Sequence, residues 1–191
     1  MFNKTLFTQL RKDFDKFDKS RENLIALSRS VLKKSKNSIH ACHRGDLMGA
    51  KKLLDSAKLG ANKIRKLAKT AHLATVGAVE DAFEEYVEAS CFFAYCNGRA
   101  LPSPKSLNVD MHSYLPGICD LVGELFRKAM NDAIKGNYDS VFKIKDFVTD
   151  LYAELMQFDW RSAHRRKFDS IKYNLEKLED LCVQLKLKRM G

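Results

Sequence analysis

Residues 1–101 contain no proline; the only three prolines stand at 102, 104 and 116. Proline removes a helical donor and clashes with the preceding turn, so this stretch can build long, uninterrupted helices. The apolar residues use that freedom. Leu6, Leu10, Phe14, Phe17, Leu24, Val31 and Ile39 recur mostly at steps of three, four and seven, which predicts one helix over 4–43 with this stripe turned inward. Gly45 breaks it, and Asp46 is the expected cap of a second helix over about 47–68. Leu53, Leu54, Ala57, Ile64 and Leu67 form its expected inner face, and Gly60 its weak point. A third helix covers roughly 74–97. NGRALPSPKSLN, 97–108, reads as a loop from its Asn-Gly, prolines and serines. A fourth helix runs from about Asp110 to Lys135, ended by Gly136-Asn137; Pro116 in its first turns allows a start as late as Leu115. A fifth covers about 138–157. The last spans about 162–188, where Phe168, Ile171, Leu175, Leu178, Cys182 and Leu185 form a seam in steps of three and four. No strand pattern, repeat or low-complexity tract appears. The expected fold is all-α, a bundle of six to seven long helices in one domain over 1–191. The seams of the first and last helices leave faces for self-association.

The charge is uneven. Residues 1–70 carry eighteen basic and six acidic side chains, and the whole chain has a formal net charge of +10. Yet from Ala71 to Gly98 there is no Lys or Arg, while DAFEEYVEAS, 81–90, holds four carboxylates. A basic surface of this size favours a polyanion such as RNA, DNA or a membrane face. No apolar run approaches a membrane span, and MFNKTLFTQLRKDF lacks the apolar core of a signal peptide. Five cysteines, an odd number without a Cys-x-x-Cys pair, read as free thiols in a reducing compartment. The cytoplasm is the expected location, with no membrane partner.

Two pairs of acids stand out. Glu85 and Glu88, at i and i+3, share a helix face, where two carboxylates repel unless a cation sits between them. Asp120 and Glu124, at i and i+4, sit in ICDLVGELF, flanked by apolar residues rather than lysines; Gly123 between them would admit another helix or a ligand. Phe83, Tyr86, Val87, Phe92 and Phe93 make the third helix apolar around much of its circumference, so it is expected to be central. Its acids either pair with basic neighbours from elsewhere or hold a metal. An oxygen-rich site of this kind suits Mg²⁺ or Mn²⁺, and an ion there could activate water against a phosphodiester. Other chemistries fail: there is no Glu-x-x-His, no nucleotide-binding glycine loop and no Gly-x-Ser-x-Gly. Lys63 and Lys66, with Arg161, Arg165 and Arg166, form stripes suited to sequence-independent phosphate contacts, or simply to a solvated face.

EEYVEA and DLVGEL together resemble the translin superfamily, specifically its translin-associated factor X (TRAX) branch. DKSRENLIALSRSVLKKSKNSIHACHR, SYLPGICDLVGELFRKAMNDAIKGNYD and KFDSIKYNLEKLEDLCVQLKLKRMG extend the resemblance over nearly the whole chain. It implies an all-α bundle assembling into closed, barrel-like oligomers, commonly octamers. It also implies Mg²⁺-dependent endoribonuclease activity on RNA, single-stranded or short duplex, facing the interior of the shell. By resemblance the catalytic and metal-holding acids are Glu85, Glu88 and Asp120, with Glu124 as a fourth metal ligand. Translin shares the fold and lacks this acid set; a non-catalytic, translin-like binder of single-stranded nucleic acid is the alternative. A translin-like partner subunit is implied for the eukaryotic assemblies. The loop after the third helix is short, the basic N-terminal extension is absent, and ATVGAVEDAF lacks the aromatic and His/Arg-rich motif of translin. Such a chain matches a prokaryotic homologue that assembles with itself. On this reading, lysine and arginine are kept off the acidic helix because they would compete with the metal.

Overall fold

The computed structural model describes residues 3–68, 77–160 and 163–190. Among them are seven helices and no strand: α1 (Lys4–His43), α2 (Leu47–Ala68), α3 (Gly77–Cys96), α4 (Pro104–Leu107), α5 (Met111–Ile134), α6 (Tyr138–Leu155) and α7 (Ala163–Met190). Six are long; α4 is a single turn inside the segment expected to be a loop. There, Ser103 caps the turn and Pro104 occupies a first-turn position, where a missing N–H costs nothing. Helices α3 and α5 pack together at the centre. The α1/α2 pair covers α3 on one side, and α6 and α7 pack on α5 on the other.

The boundaries follow local chemistry. Gly45, at φ +81°, takes the left-handed conformation that closes α1, and the Asp46 carboxylate accepts the Gly49 N–H at 2.8 Å to start α2. Asp110 caps α5 in the same way, so the helix begins at Met111 and runs through Pro116. The proline deprives the His112 carbonyl of its helical donor, but His112 is exposed and water can serve it. The α7 seam is buried throughout: Phe168, Ile171, Leu175, Leu178, Cys182 and Leu185 all face the core.

Three expectations about packing are corrected. The α1 stripe is covered only along its C-terminal part. Leu24, Val31 and Ile39 are buried, whereas Leu6, Leu10 and Phe14 are 51%, 51% and 67% exposed. Length explains this. A 40-residue helix is about 60 Å long, while its neighbours α2 and α3, with 22 and 20 residues, reach about 33 and 30 Å. Periodicity marks an apolar face but not what lies against it. Leu67, near the end of α2, is likewise exposed. Gly60 is no weak point either: a Cβ there would lie 2.5 Å from Val31 Cγ2, so the missing side chain lets α1 and α2 approach closely.

Candidate active site

Helices α3 and α5 meet where α5 has no side chain. A Cβ on Gly117 would stand 2.6 Å from the Glu84 carbonyl oxygen and 2.8 Å from Val87 Cβ. This close approach brings the i, i+3 acids of α3 and the i, i+4 acids of α5 to one place. Glu85, Glu88, Asp120 and Glu124 line a single cavity of about 430 Å³. Lys36, Ile39 and His40 of α1 form another wall, and Ser170 and Asn174 of α7 a third. Gly123 lines the cavity with nothing within 4 Å of an added Cβ, so of its two expected uses it serves the open space and Gly117 serves the helix contact.

The cavity gathers four carboxyl groups at close range. Glu88 is only 9% exposed. Burial pushes its carboxyl up to about 9, and the charges of Glu85, Asp120 and Glu124 push the same way, with Lys167 opposing. Glu85 is also raised, first by burial; Lys36 Nζ, 3.7 Å from its Oε2, pulls against that. Burial would raise Glu124 too, but its hydrogen bond to His43 Nε2 and the charges of His43, Arg127 and His40 hold it below the ordinary range. His43 is fixed in turn against Phe92, ring centroids 4.7 Å apart. Lys167 reaches in from α7 and donates to Glu84 Oε2 at 2.6 Å and Asp120 Oδ2 at 2.5 Å. Burial works against its charge, but the two carboxylates hold the ammonium above its usual range.

The acidic helix is therefore not left without cations, as its own sequence suggests. The fold supplies Lys36 to Glu85, and Lys167 to Glu84 and Asp120, from helices distant in sequence. Glu88 is different: among the described residues no Lys or Arg forms an ion pair with it. The four oxygen-donor side chains match the chemistry of a hard divalent cation. In the arrangement seen, an ammonium stands beside Asp120, and among the described residues no three potential ligands are gathered into a metal-holding group. The expected RNA-contacting residues lie elsewhere. Lys63 and Lys66 are exposed on α2, and Arg165 and Arg166 on the first turn of α7; Arg165 is paired with Asp169 at 2.9 Å. None of these four lines the carboxylate cavity. Arg161 lies outside the described residues. Lys36, His40 and His43 join the site from α1, and their spacing in the sequence puts them on the face that carries Ile39.

The Translin family model matches residues 19–189. The chain belongs to the translin family. An uncharacterised protein of Methanocaldococcus jannaschii is 30% identical over 186 residues, covering 91% of this chain and 83% of that relative. Translin-associated protein X of Rattus norvegicus is 22% identical over 225 residues, covering 95% and 78%. In structure, the translin-family chain matches apo-NeC3PO with a TM-score of 0.89 at 26% identity, over 96% of this chain and 98% of that one. It matches the protein of the AfC3PO–duplex RNA complex with a TM-score of 0.86 at 24% identity, over 97% and 98%. The all-α, translin-like architecture is thus established, and closed oligomeric assembly is consistent with these neighbours.

Proposed function

We propose that this translin-family chain is a metal-dependent endoribonuclease that hydrolyses RNA phosphodiester bonds inside an oligomeric shell. The observation that carries this is the single cavity where four acids from two central helices converge and Glu88 has no ion-pair partner among the described residues. Glu85, Glu88 and Asp120, with Glu124, would hold Mg²⁺ or Mn²⁺. Such a cation, when bound, supplies charge neutralisation at the phosphate and activation of water. The chain's own residues do the rest. Lys36 and His40, on the α1 wall, bind the phosphate backbone. His43 fixes the Glu124 carboxylate, and Lys167 fixes Asp120. Glu88 keeps its carboxyl proton until positive charge enters the cavity. The net charge of +10 favours an RNA partner, and the duplex RNA bound by AfC3PO supports the same choice. The translin-associated protein X relatives support a TRAX-like role, with self-association or a translin-like partner subunit completing the shell.

The test is labelled single-stranded and duplex RNA incubated with the pure protein, in Mg²⁺ and in EDTA, beside the Glu85→Gln/Glu88→Gln variant. Cleavage that needs the metal and falls at least ~100-fold in the variant is expected. Cleavage at the wild-type rate by the variant overturns the roles given to these acids. One observation favours a second reading, a non-catalytic binder of single-stranded nucleic acid: Lys167 already occupies Asp120 and Glu84. That reading predicts binding that survives EDTA and no cleavage in any lane.

A further inference from the structure

A second cavity, of about 360 Å³, opens between the start of α5 and the start of α7. Its walls include Met111, His112, Leu115, Phe158, Trp160 and His164. We propose that it holds one unpaired nucleobase of a single-stranded RNA segment that continues along α5 and α7 to the carboxylate cavity. This inference rests on the endoribonuclease reading and narrows its substrate to RNA with an unpaired nucleotide near the cut.

Three observations carry it. First, the walls are ring systems already held in place. The Trp160 indole N–H donates to the Leu155 carbonyl at 2.7 Å, and its ring stacks on Phe168 with centroids 5.0 Å apart and planes 12° from parallel. Phe158 leans on Trp160 at 6.0 Å, and His112 faces His164 at 6.3 Å. A base entering such a site loses little to rearrangement, and stacking on aromatic rings tolerates any base. Second, the cavity is open. Met111 is 49% exposed and Phe158 44%, an apolar cost that an occupant would relieve. Third, the same two helices, α5 and α7, line both this cavity and the candidate active site. Six residues separate His164 from Ser170 on α7, about 9 Å, and eight separate His112 from Asp120 on α5, about 12 Å. Exposed Arg165, paired with Asp169, and exposed Arg166 follow His164 on the same turn, where they could meet a sugar-phosphate backbone.

Trp160 is the only tryptophan in the chain, so its fluorescence reports the cavity directly. The experiment titrates a decameric oligouridylate into the full-length protein in EDTA, follows Trp160 emission, and measures total binding in parallel by anisotropy of a labelled oligomer. A saturable quench is expected. Phe158→Ala, at an exposed position, should weaken it at least ~5-fold without changing the far-UV circular dichroism. The titration is run in EDTA and reads binding rather than cleavage, so a failure of the cleavage proposal would not disturb this result. A blunt duplex of the same length should bind without the quench. Binding by anisotropy with no quench, or an unchanged Phe158→Ala, overturns the inference alone; no binding of any RNA overturns it together with the RNA partner. A quench that appears on concentrating the protein without RNA assigns the cavity to a second copy of the chain and also overturns it.

Discussion

Glu88 shows how a fold can hold a carboxyl in its protonated form well above the ordinary carboxylate range. Its carboxyl stays protonated up to about 9 in the folded chain, while in the unfolded chain it ionises near the ordinary value of 4.5. The folded state therefore binds the extra proton. Its contribution to stability is full below about 4.5 and is lost progressively as pH rises through about 9. Within that window each pH unit costs up to about 1.4 kcal/mol. Glu88→Gln keeps the shape and cannot ionise. In chelator, its stability advantage over wild type is expected to grow between pH 5 and pH 8, measured by urea unfolding at both. An advantage that does not change with pH would show that Glu88 ionises normally in the folded chain. The sequence displayed this residue and its pairing with Glu85 at i, i+3. It could not display the degree of burial or the nearby carboxylates of Asp120 and Glu124, because those two come from a different helix.

At the scale of elements, the α3–α5 contact positions everything else. Gly117→Ala would drive a Cβ against the Glu84 carbonyl and Val87, neither of which can swing away. A loss of about 1–3 kcal/mol or more is expected, read from the denaturation midpoint. Gly123→Ala meets nothing within 4 Å and replaces glycine inside a helix, so it should stabilise the chain by roughly 0.8–1 kcal/mol while narrowing the carboxylate cavity. Equal effects at the two positions would contradict the packing described. Lys167 is the clasp between α7 and this pair. Lys167→Met leaves the carboxylates of Glu84 and Asp120 without their shared cation and should cost about 1–2 kcal/mol at pH 7, since the lysine is about a third exposed and water screens part of the loss. The helix ends were legible in the sequence because caps are local: Gly45, Asp46, Asp110 and Gly136 each act within a few residues. The partners of the acids were not. Lys167 and Glu84 are 83 residues apart, and no periodicity links them. The same limit made Gly123, conspicuous between two acids, look as much like a contact glycine as Gly117, which drew no notice.

For the whole molecule, the uncovered half of α1 is the main departure from a self-contained bundle. Leu6, Phe7, Leu10 and Phe14 lie on its exposed length, beyond the reach of α2 and α3. An apolar face of this length is costly in water, and the proposed oligomeric shell would cover it with other subunits. Leu10→Glu with Phe14→Glu should shift sedimentation toward smaller particles while leaving the helical circular dichroism of the bundle unchanged. Unaltered assembly would mean that another face holds the subunits together. The bundle itself, with its helix number and its buried α7 seam, was readable from periodicity alone. The extent of α1 that stands free was not, because it depends on the lengths of its neighbours.

The acids of α3 and α5 are proposed to hold a divalent cation between them. Titration of Mn²⁺ into the full-length protein at pH 7.5, followed by electron paramagnetic resonance with simultaneous measurement of released protons, tests it directly. Saturable Mn²⁺ binding with proton release is expected, because Glu88 must ionise to bind, with loss of both in Glu85→Gln/Glu88→Gln. Mn²⁺ binding of equal strength in that variant, or no saturable binding in the wild type, would contradict it.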